Sequence, residues 1–313
     1  MQICDLQPVY IVGPTASGKS ALALKLAREF DSVIISADSM QIYRGLDIGT
    51  AKESKEVLSE VPHKMIDIVD KDQEFSVAEY AEMAKVEIAK ALENGKLPIV
   101  VGGTGLYFEA LLYPMSFANT VKNPELRNKL ARELEKYGAK HLHDKLSSLD
   151  PKTAERLHEN DTKRVIRALE IILTTGKTLE ENKDLQEKPN ENVIMIGLTT
   201  DRQKLYERIN ERVDKMFDEG LVDEVFGVGG FDYQSMQAIG YKEFSGAKVV
   251  KSGEHYVFED AEQLEVIKDK IKQHSRNYAK RQLTWFRKYD FVKWFDLNDI
   301  DSAITYIKSK LAQ

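Results

Sequence analysis

The octet that decides the fold is Gly13-Pro14-Thr15-Ala16-Ser17-Gly18-Lys19-Ser20. It fits the pattern G-x-x-x-x-G-K-[ST] at every defined position, and it lies between a strand-like run and a helix-like stretch, as the pattern requires. Glycines let the backbone curl until successive N–H groups point at an anion, and the helix start adds its positive end. Lys19 supplies a point charge, and the Ser20 hydroxyl can hold Mg²⁺. The octet predicts a phosphate-binding loop (P-loop) without showing which phosphate it binds.

Strand and helix signals alternate around this loop. Three apolar runs are typical of buried strands, and the two stretches between them have helical periodicity. In chain order these segments are Pro8–Val12, Ser20–Phe30, Ser32–Ala37, Val77–Leu92 and Leu97–Val101. The alternation predicts an α/β fold, a P-loop parallel sheet with helices on both faces, whose ligands bind at the carboxyl ends of the strands.

The pattern changes between residues 120 and 190. Helical periodicity dominates there, and it predicts helices over Pro124–Lys136, His141–Leu149, Thr153–Leu157 and Thr162–Thr174. Further strands and long helices follow, predicted over Asn192–Leu198, Arg202–Phe217, Ala261–Lys288 and Phe291–Phe295. We therefore predict an inserted all-helical domain over 120–190 and a catalytic core formed by 1–119 and 191–313.

Composition limits the class of protein. Hydrophobic residues make up 42% and charged residues 31% of the chain, as in ordinary globular proteins. The single cysteine, Cys4, excludes an intramolecular disulfide, and the first residues lack the basic region of a signal peptide. No apolar run approaches the roughly 20 residues that cross a bilayer. We expect a cytoplasmic protein with no membrane association.

Charge is distributed unevenly along the chain. The net charge of −6 argues on average against a nucleic-acid partner, but the segment from Lys270 to Lys288 holds seven Lys or Arg residues and no Asp or Glu. This segment predicts a basic helix whose Lys280 and Arg281 bind RNA phosphates. Its aromatic residues could stack on bases, but the helical spacing favours the core for Tyr278, Trp285 and Phe286.

Asp38 is the candidate acid–base residue. It directly follows the second predicted strand, near the phosphate loop. It can orient Mg²⁺, accept a proton from a substrate held over the phosphates, or merely cap the turn with Ser39. The third strand ends in Gly102-Gly103-Thr104-Gly105, where a motor-type ATPase would carry an Asp. The sequence therefore argues against a motor ATPase and leaves the three roles of Asp38 open.

Several blocks have no periodic explanation. They are Ser36–Lys52, Pro62-His63, Gly102–Phe108, Arg164–Glu170, Ala238–Glu243 and Tyr278–Arg287. Together with the phosphate loop, they closely resemble the bacterial tRNA dimethylallyltransferase (tRNA isopentenyltransferase) family, from the first strand to about Arg287. The resemblance implies a core related to small-molecule kinases and a helical insertion that clasps the tRNA anticodon stem-loop.

The resemblance also implies a reaction and the residues that perform it. A dimethylallyl group would pass from dimethylallyl diphosphate to N6 of the adenosine at position 37, beside the anticodon of certain tRNAs, with release of diphosphate. The loop Gly13–Ser20 and Arg212 would hold the donor diphosphate, Asp38 would be the general base, and Thr104 would lie near both donor and target base. The implied tRNA contacts are Ser39, Met40 and Gln41 in the pocket of the target nucleotide, and Arg127, Lys163, Arg164, Arg167, Gln237, Gly240, Tyr241 and Lys242 elsewhere.

The chemistry is consistent with these residue types. The exocyclic amine of adenine is a weak nucleophile that loses a proton as the new bond forms, which suits a carboxylate base. The departing diphosphate needs fixed donors, which the loop, Lys19, Arg212 and a Ser20-held Mg²⁺ would supply. We expect a monomer. A small-molecule P-loop kinase and a nucleic-acid-dependent ATPase are the alternatives, and transfer from labelled dimethylallyl diphosphate to unmodified tRNA without ATP separates all three.

Overall fold

The structure, a computed structural model, describes residues 7–113, 123–181 and 193–312. The chain divides into two compact units, Met1–Leu111 with Asn190–Gln313, and Leu112–Pro189. The domain boundaries predicted from the sequence, 119/120 and 190/191, both fall outside the described residues. Each unit has a hydrophobic core of its own.

A parallel sheet forms the centre of the first unit. Its six described strands are β1 (Val9–Val12), β2 (Ser32–Ala37), β3 (His63–Lys64), β4 (Leu97–Gly102), β5 (Ile194–Thr199) and β8 (Lys293–Asp296), in the spatial order β3-β2-β4-β1-β5-β8. Every pairing within this order is parallel. A separate antiparallel hairpin pairs β6 (Val249–Ser252) with β7 (His255–Phe258). The three-strand alternation predicted from the sequence is confirmed, whereas the hairpin was not predicted.

Helices complete both units. In chain order they are α1 (Lys19–Glu29), α2 (Lys55–Glu60), α3 (Val77–Glu93), α4 (Gly105–Leu112), α5 (Pro124–Leu149), α6 (Pro151–Arg156), α7 (Thr162–Thr175), α8 (Arg202–Asp218), α9 (Leu221–Val228), α10 (Ala261–Phe286) and α11 (Ile300–Leu311). Most long helices begin at side-chain caps, such as the capping box of Ser76 and Glu79 on α3. Among the described residues, no helix combines the length and apolar character that a bilayer crossing requires.

The sheet is covered on both faces because its strand residues alternate in direction. Ile11 on β1 joins a core with Leu22 and Leu26 of α1 and Ile304 of α11. Tyr10, which points the opposite way, meets Phe108 of α4, and that ring in turn meets Phe286 of α10. The predicted α/β sheet with helices on both faces is therefore confirmed.

The second unit is helical in its described part. Its core residues come from α5, α6 and α7, and include Leu130, Leu146, Ala154, Val165 and Leu169. Gly138 interrupts α5 with φ +83° and ψ 172°, which separates the two helices predicted on either side of it. Glycine tolerates this backbone because it has no Cβ.

Candidate active site

Three neighbouring strands end at the site. The phosphate loop follows β1, Asp38 follows β2, and Thr104 lies just beyond β4. Because β2, β4 and β1 are adjacent and parallel, their carboxyl ends bring these segments together. The sequence placed each residue at a strand end, and the sheet order now explains why they meet.

The phosphate loop has the backbone of an anion cradle. Gly18 has φ +82°, and Ala16, with φ +62°, also lies in the left-handed region. Gly13 approaches β5 so closely that a Cβ there would lie 2.3 Å from the carbonyl oxygen of Leu198. Lys19 Nζ donates to the carbonyl of Pro14 at 2.6 Å, so its ammonium folds back over the loop.

Two partly buried cations, Lys19 and Arg212, face this cradle. Burial, reinforced by the charge of Arg212, lowers the pKa of Lys19 to about 7, while the charge of Asp38 opposes the shift. Burial also lowers the pKa of Arg212 on α8 below its ordinary value, against the opposing charges of Asp38 and Glu53. Desolvated positive charges of this kind interact strongly with an anion that enters the same site. Arg212 lines cavity A together with Thr15, Lys19 and Ser20 of the loop, and its contact with a donor diphosphate stays a prediction.

Asp38 and Thr104 hold the facing turn. Asp38 Oδ1 accepts the N–H of Met40 at 2.9 Å, and Thr104 Oγ1 accepts the N–H of Ser39 at 3.0 Å. The N–H of Thr104 donates to the carbonyl of Ala37 at 3.1 Å. Asp38 thus caps its turn, as one of the sequence hypotheses held, and the same carboxylate also lines the cavities described next.

Two cavities meet at these residues. Cavity A, about 90 Å³, lies between α1 and the sheet, and its lining includes Lys19, Ser20 and several apolar side chains. Cavity B, about 290 Å³, lies beside α8 and α10. The residues that line both are Thr15, Asp38, Thr50, Arg212 and Tyr278. This junction is where a group held over the phosphate loop would meet a second molecule held in cavity B.

Two of the three residues predicted for the pocket of the target nucleotide, Ser39 and Met40, line cavity B. Four of the other predicted tRNA contacts line it as well, namely Gln237, Gly240, Lys242 and Arg281. Gln41 lies in cavity A instead, which corrects the prediction that it accompanies Ser39 and Met40. The physical reason is its amide, which accepts from Ser36 Oγ at 2.9 Å and donates to the carbonyl of Thr50 at 3.2 Å.

Tyr241 is a second correction. Its side chain is fully buried, and its hydroxyl donates to Glu224 Oε1 at 2.6 Å. A Cβ on Gly49 would collide with its ring, so Tyr241 fills the space beneath that loop. Glu224 also accepts three successive backbone N–H groups, those of Asp47, Ile48 and Gly49. The Tyr241 side chain therefore supports the wall of cavity B and does not reach RNA.

The aromatic residues of α10 divide between the core and the site. Phe286 is fully buried, as predicted, and Trp285 packs against Gly105 at the start of α4. Tyr278 does not lie in the core, because its position on α10 turns it toward the cavity junction. Burial, followed by the charge of Asp38, raises the pKa of Tyr278 to about 12, so its hydroxyl stays protonated. Lys280 and Arg281 are exposed, as expected of residues that would contact RNA.

Two of the four predicted tRNA contacts of the second unit, Arg127 and Arg167, share one buried carboxylate. Glu170, 1% exposed, accepts from Arg127 Nη2 and Arg167 Nη1, each at 2.7 Å. Both arginines remain partly exposed, while Lys163 and Arg164 lie in solvent. Glu170 thus fixes two guanidinium groups on the surface of this unit.

Sequence reasoning missed Gln282 and Glu224. Gln282 joins the phosphate loop to the turn after β4, with its Oε1 2.9 Å from the backbone nitrogen of Thr15 and its Nε2 3.0 Å from the carbonyl oxygen of Gly103. The signal for Gln282 was present, because it lies in the block Tyr278–Arg287, but only its charged and aromatic neighbours were interpreted. Glu224 lies outside every block, and a lone surface-type carboxylate gives no sequence signal.

Several known proteins are similar to this chain in sequence and fold. Residues 41–289 match the family whose description is IPP transferase. A tRNA dimethylallyltransferase of a Thermoanaerobacter species is 47% identical over 98% of this chain and 99% of its own, and one of Bacillus cereus is 46% identical over 96% and 94%. A tRNA isopentenylpyrophosphate transferase of Bacillus halodurans superposes with TM-score 0.69 at 42% identity, covering 98% of this chain and 97% of that one. A eukaryotic dimethylallyltransferase acting on tRNA gives TM-score 0.77 at 27% identity, over 95% and 75%.

Proposed function

The chain belongs to the IPP transferase family, and on that premise we propose that it is a tRNA dimethylallyltransferase whose donor is dimethylallyl diphosphate and whose acceptor is N6 of adenosine 37. One observation carries the proposal beyond family membership. Two partly buried cations lie beside one carboxylate: Arg212 and Asp38 line the junction of cavities A and B, and Lys19 lines cavity A next to it. Transfer of a carbon group from a diphosphate to a weakly nucleophilic amine needs that set of charges.

The donor diphosphate would lie on the loop Gly13–Ser20. Backbone N–H groups, Lys19 and Arg212 would meet its charge, which grows as the bond to the allylic carbon breaks. Because these donors are fixed before the reaction begins, they need no rearrangement at the transition state. The apolar part of cavity A, formed by Ala23, Leu24, Ile34, Ile66 and Val101, offers the dry lining that a partly cationic carbon requires.

The acceptor adenine would enter cavity B. The bond between its N6 and the allylic carbon forms as the carbon–oxygen bond to the diphosphate breaks, and the N6 proton passes to Asp38. Thr104 lies beside Ser39 at this point and would hold the base or the donor. A base stacked in an anticodon loop is inaccessible, so the enzyme would have to extrude it, as other base-modifying enzymes do.

Magnesium fits the residues present. The Ser20 hydroxyl lines cavity A and is a hard oxygen donor of the kind that Mg²⁺ prefers. Mg²⁺ commonly uses one or two protein oxygens together with phosphate and water, so a larger carboxylate cluster is unnecessary. Bound there, the ion would offset negative charge on the diphosphate.

The tRNA would be held by exposed cations. Lys280 and Arg281 on α10 are proposed to contact phosphates, and the helical second unit is proposed to grip the anticodon stem-loop through Arg127, Lys163, Arg164 and Arg167. One chain carries a complete set of donor and acceptor residues, which supports action as a monomer. A cytoplasmic location remains a prediction, consistent with a tRNA substrate.

The test is prenyl transfer in the absence of ATP. Incubation with labelled dimethylallyl diphosphate, Mg²⁺ and unmodified tRNA should put label on the RNA, and mass spectrometry of its nucleosides should find N6-(dimethylallyl)adenosine. A P-loop kinase would instead transfer a phosphate from ATP to its own acceptor and leave the adenine unmodified. Phosphate transfer from ATP with no prenylated adenine would overturn the proposal.

A further inference from the structure

One face of α10 runs along both cavities. Ile271, Ser275, Tyr278 and Gln282 follow each other at intervals of four, three and four residues, which aligns them on one side of a helix. Ile271, Ser275 and Tyr278 line cavity B, and Tyr278 and Gln282 line cavity A. The same helix exposes Lys280 and Arg281 to solvent. A helix proposed to bind RNA on its outer face therefore forms a wall of the site with its inner face.

Gln282 is where this inner face meets the phosphate loop. The side chain is only 5% exposed, and both ends of its amide are bonded to backbone groups, the N–H of Thr15 and the carbonyl of Gly103. Since one partner donates and the other accepts, the orientation of the amide is fixed. The fit is tight, because a Cβ on Gly103 would lie 2.0 Å from Gln282 Nε2.

The two partners of Gln282 belong to the two halves of the reaction. Thr15 is part of the loop proposed to hold the leaving diphosphate. Gly103 precedes Thr104, which in turn holds the Ser39 N–H in the turn that carries Asp38. Tyr278, one helical turn before Gln282, lines both cavities at their junction. Gln282 thus hydrogen-bonds the phosphate loop to Gly103, and Gly103 is followed by Thr104, which contacts the turn that carries Asp38.

We propose that Gln282 is a positioning residue for prenyl transfer, which sets the separation between the leaving diphosphate and Asp38. The inference rests on the proposed function. Reacting groups must approach to about 3–3.5 Å, and a misplacement of about 1 Å can lower a rate roughly 10²-fold. Because Gln282 is part of α10, it also makes the geometry of the donor loop depend on the helix proposed to hold the tRNA.

The first test replaces Gln282 with Met, which has a similar length and cannot form either hydrogen bond. We expect single-turnover transfer at saturating enzyme to fall about 10- to 100-fold. Binding of inorganic diphosphate and of tRNA should change by less than about threefold, because Lys19, Arg212, Lys280 and Arg281 are untouched. Gln273→Met, at a position of the same helix away from both cavities, is the matched control and should behave as wild type.

The second test, Gln282→Glu, gives a readout that a purely structural role would not move. A carboxylate can accept from Thr15 but cannot donate to Gly103, whereas a protonated carboxyl group can satisfy both partners. The ratio of variant to wild-type rate should therefore rise as the pH falls from about 8 to about 6, because burial favours protonation of the carboxyl. The charged groups that line cavity A are Lys19, Asp38, Glu53, His63 and Arg212, and all of them are present in both proteins, so the ratio compares proteins that differ only at position 282.

The outcomes are distinguishable. A wild-type rate in Gln282→Met would overturn the inference alone, provided that the wild-type chain transfers the prenyl group. The inference would also be overturned if Gln282→Met lowered the melting temperature and diphosphate binding along with the rate, and if the ratio of the Gln282→Glu rate to the wild-type rate did not change with pH. Gln282 would then only support the fold. A wild-type chain that transfers no prenyl group would refute the proposed function and this inference together.

Discussion

The phosphate loop and the outer face of α10 are both cationic, but they hold their charges in opposite surroundings. Lys19 and Arg212 are partly buried, and desolvation of their charged groups lowers the pKa of each. Lys280 and Arg281 are exposed to solvent. A charge in a desolvated site acts strongly on a nearby anion and is little screened by salt, whereas exposed charges are screened within a Debye length of about 8–10 Å. The difference assigns chemistry to the buried pair and RNA affinity to the exposed pair.

The largest effect should come from Lys19→Ala. The variant removes the cation closest to the proposed leaving group, so prenyl transfer should become undetectable in a single-turnover assay. Affinity for tRNA should stay unchanged, because no exposed cation is altered. A variant that still transfers the prenyl group at a measurable fraction of the wild-type rate would break the assignment of chemistry to the buried cations.

Asp38→Asn should have the next largest effect. The amide keeps the turn hydrogen bond to Met40 but cannot accept the N6 proton, so single-turnover transfer should fall roughly 10²–10⁴-fold. Donor and tRNA binding, measured by titration calorimetry and filter binding, should be retained. A near-normal rate would leave Asp38 with its capping role alone.

Replacing Lys280 and Arg281 together with Ala tests the exposed side of the comparison. The affinity for every tRNA should fall by about the same factor. The slope of log K against log salt should flatten by roughly one for each phosphate that the protein no longer neutralises. Transfer from the saturated complex should be unaffected in Lys280→Ala alone, because Lys280, unlike Arg281, lines neither cavity. Lys85→Ala combined with Lys293→Ala, at exposed positions of α3 and β8, serves as the control for an equal change in net charge. An unchanged slope in the double variant would make this face an ordinary solvated surface.

The smallest effect concerns the proton on Lys19. Because the pKa of Lys19 is about 7, a growing fraction of its amino groups is neutral above that pH. Bound diphosphate favours the charged form of this amino group. Donor affinity should therefore weaken by up to about tenfold per pH unit above about 7 and gain nothing from Lys19 below it. Diphosphate also titrates, so affinities should be compared with Lys19→Arg, whose guanidinium stays charged. A constant ratio of the two affinities across this range would contradict the low pKa.

The sequence predicted the residues at the strand ends of the site better than the side chains that pack beside them. The octet, Asp38 and Thr104 could be placed because strand ends and glycine turns leave local signals, and the parallel order of β2, β4 and β1 then brings them together. Tyr241 and Gln41 were misjudged because nothing local shows which way a side chain turns. Tyr241 is drawn under Gly49 by Glu224, which lies seventeen residues earlier in the chain, and Gln41 is turned by Thr50.

Pairings over long sequence distances account for what else was missed. Gln282 bonds to residues 267 and 179 positions away, and no periodicity encodes such a pairing. The hairpin of β6 and β7 was missed because its strands are only four residues long, with Val250 and Val257 exposed. Family resemblance named the right blocks, but only the folded chain separates residues that face a cavity from residues that support its wall.

One measurement tests the division between buried and exposed cations most directly. The affinity of the protein for unmodified tRNA and the single-turnover rate of prenyl transfer within the saturated complex are measured on the same samples, at ionic strengths from about 0.05 to 0.5 M. The tRNA affinity should fall along a straight line in log K against log salt, while the rate constant stays constant within about twofold, because Lys19 and Arg212 are shielded from the solution. A rate constant that falls in parallel with affinity would contradict the division.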